Sequence, residues 1–331
     1  MRGRRRRRRD RIVFFGTILL LVAGGVGSGV VVAFRPAGVI FTAQHTILDT
    51  NAKAGGPSAA NFDHFQFSNL WLAFNPQPSL TIHGQAAYLV DIDAREVLWM
   101  RDPETSRAPA SLTKLVTAMV AVDDAGSLDR AVVVAKEATQ VIPSVMGLSP
   151  GERVTVRELL AGLFLDSGND AAEALARGIV PRDRFIRQMN QKASSIGLTA
   201  SHFVNPSGLD APGHGMSAHD LAHAAAYLDQ YYPEVAAIAA TKQITIAATA
   251  QHKAFNPHNL NPLIWNYPGA TGLKTGLTDD AGGCIVATAT RDGRHLVAVV
   301  LNATRHSADD AAALLNYGFS IHPRLPLPPW P

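Results

Sequence analysis

Ser111 and Lys114 form the pattern Ser-x-x-Lys at the start of a long apolar stretch, where a nucleophile and a base can meet. Apolar residues recur through residues 111–122 and predict a buried helix. A serine in its first turn lies at the positive end of the helix dipole, which favours the alkoxide, and a lysine three residues later lies on the same face. Burial and a second cation would lower the pKa of Lys114 enough for it to accept a proton. An N-cap serine beside a solvent-exposed lysine is the alternative interpretation.

Ser167-Gly168-Asn169 is a second polar group, between the apolar residues 159–165 and another predicted helix. A loop between two helices can direct a hydroxyl and an amide into a cleft, where the hydroxyl passes a proton and the amide holds a substrate carbonyl. Taken alone, the tripeptide also fits a plain helix-capping turn.

Lys274-Thr275-Gly276 is a third polar group, at the end of a predicted strand. A cation, a hydroxyl and a residue without Cβ on an edge strand can bind a carboxylate and let a substrate backbone pair with the strand. A polar strand end is the alternative. In their order and spacing, the three groups match the Ser-x-x-Lys, Ser-x-Asn and Lys-Thr-Gly set of penicillin-binding proteins and class A β-lactamases.

The chain therefore resembles the serine-type D-alanyl-D-alanine carboxypeptidases of peptidase family S11, which are low-molecular-mass penicillin-binding proteins. The resemblance covers about residues 85–320, and residues 107–111, 167–172, 202–210 and 314–319 also look like segments of that family. It implies cleavage of the terminal D-alanine from peptidoglycan pentapeptide stems through an acyl-enzyme, covalent inhibition by β-lactam antibiotics, and no metal or organic cofactor.

The resemblance assigns catalytic roles to three residues of this chain. Ser111 attacks the carbonyl between the two terminal D-alanines, and Lys114 is its general base. Ser167 relays the proton toward the leaving D-alanine, with electrostatic support from Lys274.

The resemblance also assigns substrate-binding residues. These are Asn169, Lys274, Thr275, Gly276, Leu277 and Arg305. Thr275 holds the substrate carboxylate, and the backbone N–H groups of Ser111 and Leu277 hold the oxyanion. Arg305, after the last predicted strand, is the candidate arginine partner of the carboxylate.

The secondary-structure elements that must position these residues are predicted to form one α/β (α+β) domain. Predicted strands lie at both ends of this region of the chain, and predicted helices lie between them. We expect a DD-peptidase/β-lactamase-like fold, with a mostly antiparallel sheet flanked by helices and an inserted helical lobe. The predicted strands are 86–90, 96–100, 271–275, 284–290 and 295–301, and the predicted helices are 111–122, 156–165, 171–179, 182–196, one beginning at Ser217, and 307–317. A hydrophobic content of 47% predicts a packed core, and the single Cys284 excludes an intramolecular disulfide.

The N-terminal region predicts a membrane anchor. Residues 1–11 form an Arg-rich arm of charge +7. Because the net charge of the chain is +3, residues 12–331 carry a net charge of −4. The basic balance of the chain therefore gives no indication that the folded part binds nucleic acid. Residues 12–34 contain no charge and would span about 34 Å as a helix, enough to cross a bilayer. The arginines before the span place the N-terminus in the cytoplasm. A cleavable signal peptide is the alternative.

The predicted organisation is therefore that of a single-pass protein of the bacterial cell membrane with its catalytic domain outside the cytoplasm. Residues 35–80 form a stalk, part of which can dock on the domain. Residues 81–320 form the catalytic domain, and residues 321–331 form a Pro-rich tail.

The sequence motifs are also compatible with other functions. His219 and His223 have the i, i+4 spacing of metal ligands on a helix, and His214 is close to them in sequence. The glutamate of a His-Glu-x-x-His motif is missing between them, so we expect an exposed or capping histidine face and no metal site. A class A-like β-lactamase would need a glutamate after the Ser-x-Asn loop, yet none occurs in residues 174–233. The residues are also compatible with a DD-endopeptidase and with a membrane-anchored penicillin-sensing protein.

Overall fold

The computed structural model describes residues 66–321. The predicted arm (1–11) and membrane span (12–34), together with most of the predicted stalk and tail, lie outside these residues. Within the described range, each helix is too short or too polar to cross a bilayer.

A five-stranded antiparallel sheet forms the centre of the domain, with the strand order β2-β1-β7-β6-β5. A separate two-stranded ladder pairs β3 with β4. The strands are β1 (Ala86–Asp91), β2 (Glu96–Arg101), β3 (Ala131–Val133), β4 (Arg153–Thr155), β5 (Ala270–Thr278), β6 (Gly282–Arg291) and β7 (Arg294–Leu301). The five predicted strands are present, whereas the short β3–β4 ladder was not predicted.

Helices cover both faces of the sheet, as the apolar strand sequences require. They are α1 (Leu70–Phe74), α2 (Lys114–Ala125), α3 (Val156–Phe164), α4 (Asn169–Gly178), α5 (Arg182–Ser195), α6 (Ala218–Tyr231), α7 (Pro233–Ala239), α8 (Pro262–Asn266) and α9 (Ser307–Ser320). Every residue of β1 is buried. Tyr88 and Val90 face the large core with α2 and α6, and Leu89 faces the smaller core under α9.

Local signals fix where the helices begin. Ser217 caps α6 by accepting the N–H of Asp220, as its sequence predicts. Thr155 and Glu158 form a capping box at the start of α3. The helix predicted from Ser111 instead begins at Lys114, because a 3-10 turn (Ala110–Thr113) precedes it. Residues 114–121 of α2 are all buried, in agreement with their apolar sequence.

The described part of the predicted stalk packs along the outer strand β2. Ser68 forms a parallel bridge with Glu96, whose carboxylate accepts the N–H of Trp71 at 3.0 Å. The Gln77 side chain exchanges two hydrogen bonds of 3.0 Å with the backbone of Met100. These contacts satisfy polar groups along the edge of β2, while β5 forms the opposite edge of the sheet.

Candidate active site

The backbone around Ser111 is tightly enclosed. Ala110 is buried with φ +49°, a conformation that costs free energy for a residue with a Cβ. Gly208 has φ +86°, and a Cβ there would lie 1.8 Å from the carbonyl oxygen of Ala110. A Cβ on Gly276 would lie 2.9 Å from the backbone nitrogen of Ser111. The two glycines therefore let the nucleophile turn pack between the 205–210 segment and β5.

Lys114 is fully buried and its amine contacts three oxygen atoms. Its Nζ lies 2.8 Å from Ser111 Oγ, 2.7 Å from Asn169 Oδ1 and 2.7 Å from the carbonyl oxygen of Ser207. Burial, and next to it the charge of Lys274, hold the pKa of Lys114 well below its usual range. A neutral Lys114 amine has two N–H groups and one lone pair. Its two N–H groups can donate to the Asn169 and Ser207 oxygens. The lone pair is then free to accept the proton of the Ser111 hydroxyl.

Ser167 and Asn169 form the opposite wall. Ser167, in the loop between α3 and α4, is buried with φ +57° and lines the cavity. Asn169 accepts from Lys114 through Oδ1 and donates through Nδ2 to the carbonyl of Ile142 at 2.7 Å. The amide therefore joins the base to the loop of residues 142–148.

Lys274 lies buried on β5, beside the cavity. Burial lowers the pKa of its amine to about 7, and Nζ donates to the carbonyl of Thr275 at 2.9 Å. Gly276 faces the nucleophile turn, and the side chain of Leu277 is exposed.

These residues surround a cavity of about 360 Å³. Its lining residues are Ser111, Pro143, Ser144, Ser167, Asn169, Ser207, Gly208, Leu209, Leu260, Thr275, Gly276, Leu277 and Thr278. Six of the nine predicted site residues belong to this lining. Lys114 and Lys274 are buried and contact lining residues. Arg305 is exposed in the turn between β7 and α9 and does not line the cavity.

Two contacts of the site were not predicted from the sequence. The carbonyl of Ser207 holds Lys114, and a backbone acceptor carries no residue-type signal. Asp170 accepts the backbone N–H groups of Met146, Gly147 and Leu148 at 2.8–2.9 Å. Its acidic residue type beside the Ser167 motif was the available signal, but the backbone N–H donors of a distant loop cannot be recognised from sequence spacing.

The predicted exposed or capping histidine face is wrong in its exposure, because His219 is half-buried and the other two members are buried. His214 and His223 are buried, and burial is the largest cause that lowers each pKa to about 4. His214 accepts the N–H of Val204 at Nδ1 and pairs through Nε2 with Thr113 Oγ1 at 2.8 Å, beside the nucleophile turn. Within residues 66–321, no three His, Cys, Asp or Glu side chains gather closely enough to hold a metal ion.

The arrangement supports acyl transfer. A serine hydroxyl contacts a buried amine of lowered pKa, so a proton can pass from Oγ to Nζ as the oxygen attacks a carbonyl. A hydroxyl and an amide stand across the cavity, and an edge strand beside it can pair with a peptide backbone.

Comparisons with known proteins agree with this chemistry. The sequence profile of the family described as D-alanyl-D-alanine carboxypeptidase matches residues 73–305. The D-alanyl-D-alanine carboxypeptidase DacB2 of Mycobacterium tuberculosis is 36% identical over 252 residues, covering 73% of this chain and 84% of that protein. DacF of Bacillus subtilis, also a D-alanyl-D-alanine carboxypeptidase, is 33% identical over 75% of this chain and 65% of its own length.

The fold also matches solved structures. The crystal structure of the Streptomyces K15 DD-transpeptidase superimposes with a TM-score of 0.69 at 30% identity, covering 74% of this chain and 99% of that chain. The match confirms the predicted mixed fold with an antiparallel sheet flanked by helices.

Proposed function

Because this chain belongs to the D-alanyl-D-alanine carboxypeptidase family S11 of serine DD-peptidases, we propose that it removes the terminal D-alanine from peptidoglycan pentapeptide stems. Ser111 forms the acyl-enzyme in this proposal. The 2.8 Å contact between Lys114 Nζ and Ser111 Oγ carries it, because a base in contact with the hydroxyl is what activation of a serine requires.

The reaction proceeds in two steps. Ser111 Oγ bonds to the carbonyl carbon between the two D-alanines, and its proton passes to Lys114 Nζ. The C–N bond then breaks, and the proton returns through the Ser167 hydroxyl to the amine of the leaving D-alanine. Water hydrolyses the ester and regenerates Ser111. Thr275 and Lys274 hold the terminal carboxylate, and the backbone N–H groups of Ser111 and Leu277 hold the oxyanion.

Release of D-alanine tests the proposal. Full-length protein in detergent is incubated with a pentapeptide stem, and D-alanine is measured together with the tetrapeptide by mass spectrometry. We expect one D-alanine for each tetrapeptide formed, and none with Ser111→Ala. Absence of D-alanine from the wild-type protein that still binds penicillin would favour a penicillin-sensing protein. Cleavage restricted to cross-linked dimers would favour an endopeptidase.

Penicillin kinetics test the β-lactamase alternative. Among the described residues that line the cavity, none is a glutamate able to activate water against the acyl-enzyme. We therefore expect penicillin to acylate Ser111 and to remain for minutes to hours. Steady nitrocefin hydrolysis at about ten turnovers per second, a typical enzyme rate, would instead identify a β-lactamase.

We further propose that residues 12–34 anchor the protein in the bacterial cell membrane with the catalytic domain outside the cytoplasm. The uncharged span and the preceding arginines support this topology. An N-terminal tag should remain on the mature, membrane-bound protein and be protected from external protease. A soluble mature form that begins near Phe34 would show that the segment is a cleaved signal peptide.

A further inference from the structure

The surface of the cavity is uncharged. Among its lining residues within the described chain, none is Asp, Glu, Lys, Arg or His. Lys114 and Lys274 are 0% and 1% exposed, so their charges lie behind this surface. Asp210, next to the lining residue Leu209, accepts from the Thr278 hydroxyl at 2.6 Å and from the N–H of Asp280 at 3.1 Å. Apart from the terminal carboxylate, which Lys274 attracts from behind the surface, a charged group of a substrate would therefore find no ionic partner on the lining itself.

Large exposed aliphatic side chains lie on the cavity lining or next to lining residues in the chain, and we call this set the aliphatic mouth. Leu277 on the β5 side is 71% exposed, and Leu260 is 43% exposed. Ile142 and Val145, on the loop that supplies the lining residues Pro143 and Ser144, are 66% and 41% exposed. Exposed apolar side chains around a concave site mark a binding surface for apolar groups.

The loop of residues 142–148 is held in place before any ligand binds. Asn169 donates to the carbonyl of Ile142, and its backbone N–H donates to the carbonyl of Ser144 at 2.8 Å. Asp170 fixes Met146, Gly147 and Leu148 through their N–H groups. This side of the aliphatic mouth is therefore preorganised, which reduces the entropy lost on binding.

We propose that this mouth selects the side chain of the residue preceding the D-alanine pair, and that it favours side chains with an uncharged end. This inference rests on the proposed function and names its substrate class: stems whose diamino acid carries an acylated or amidated side chain. A free ammonium or carboxylate placed against Leu260 and Leu277 would lose hydration without gaining an ionic partner on the lining.

Three peptides of common backbone test the inference with the full-length protein. Each is Nα-acetylated and ends in D-Ala-D-Ala, and the first residue is Nε-acetyl-L-lysine, L-lysine or L-2-aminopimelic acid. These side chains end in a neutral amide, an ammonium and a carboxylate. We expect kcat/KM for the neutral peptide to exceed that of each charged peptide by at least about tenfold.

A charge placed at the mouth should change this order. Leu260→Glu and Ile142→Glu should each raise kcat/KM for the lysine peptide relative to the acetyl-lysine peptide, because the new carboxylate pairs with the ammonium. Both side chains are exposed, so the fold should tolerate the change. Leu70→Glu is the matched control: Leu70 is an exposed leucine on α1, beside the opposite edge strand β2, and the substitution should leave the ratio unchanged.

The outcomes separate this inference from the proposed function. If all three peptides are cleaved with equal kcat/KM, or if a charged peptide is preferred, the inference is wrong and the proposed function stands. An unchanged ratio in both glutamate variants would also contradict it. If no peptide is cleaved and Ser111 is not acylated by penicillin, the proposed function fails and this inference fails with it.

Discussion

Lys114 places its amine 2.8 Å from the hydroxyl of Ser111 while no part of the lysine side chain is exposed to solvent. A buried ammonium is costly, so burial favours the neutral base. Asp170 acts in the opposite direction and raises the pKa of this lysine, whereas Lys274 lowers it. Two residues from other elements therefore adjust the basicity of the amine that contacts the nucleophile.

Replacing the base tests its role. Lys114→Ala should reduce the rate of acylation of Ser111 by penicillin by about 10²–10⁴, the usual contribution of a general base. The measurement is the second-order rate constant for labelled penicillin. The matched control Lys136→Ala removes an exposed lysine and should keep the wild-type rate. Equal rates in all three proteins would show that another group activates Ser111.

The pH dependence tests the role of Lys274. Its pKa of about 7 means that the amine is protonated below pH 7 and loses its charge above it. A protonated Lys274 attracts the terminal carboxylate of the substrate, so kcat/KM should fall as the pH rises through about 7, because kcat/KM reports pKa values of the free enzyme. A substrate with an amidated C-terminus has no carboxylate and should show a weaker fall. The same fall with both substrates would exclude carboxylate recognition as its cause.

Gly208 and Gly213 provide a matched pair. Both have positive φ, +86° and +79°, so alanine at either position costs about 1 kcal/mol in backbone strain. A Cβ on Gly208 would meet Ala110 O, whereas a Cβ on Gly213 has open space around it. Gly208→Ala should therefore lose penicillin acylation by displacing the Ser111 turn, while Gly213→Ala keeps the rate. The thermal unfolding midpoints of the two variants measure the backbone strain that both share. Equal acylation rates in Gly208→Ala and Gly213→Ala would contradict the packing argument.

Asp170 should position the loop of residues 142–148. Asp170→Asn replaces a carboxylate that accepts three loop N–H groups with an amide, and we expect a loss of about 1–3 kcal/mol in unfolding free energy. Amide hydrogen exchange at Met146, Gly147 and Leu148 should also increase. The control Asp129→Asn changes a highly exposed carboxylate and should have little effect on either measurement. Unchanged loop exchange in Asp170→Asn would refute the positioning role.

The sequence predicted the secondary structure well because its signals are local. The Asp292-Gly293 turn joins β6 and β7, and both residues have the positive φ that such a turn needs. Ser217 likewise caps α6 through its own hydroxyl. The 3-10 turn at Ser111 was missed, because the close approach of Gly208 and Gly276 to this turn arises only in the tertiary structure.

The candidate site was predictable where residue type determines chemistry. Ser111, Lys114 and Lys274 lie together as their motifs require, although Lys274 comes from a distant part of the chain. The carbonyl of Ser207 and the support of Thr113 by His214 could not be predicted, since both depend on which distant segments meet. Arg305 was chosen from its position in the sequence, and the structure places it in an exposed turn away from the cavity lining.

The most direct test of the central claim is the site of covalent modification by penicillin. Full-length wild-type protein and Ser111→Ala are treated with benzylpenicillin, digested and mapped by mass spectrometry. We predict one penicilloyl adduct, on the peptide that contains Ser111, and no adduct in a folded Ser111→Ala protein. An adduct on another residue, or one that persists in Ser111→Ala, would contradict the assignment of Ser111 as the nucleophile.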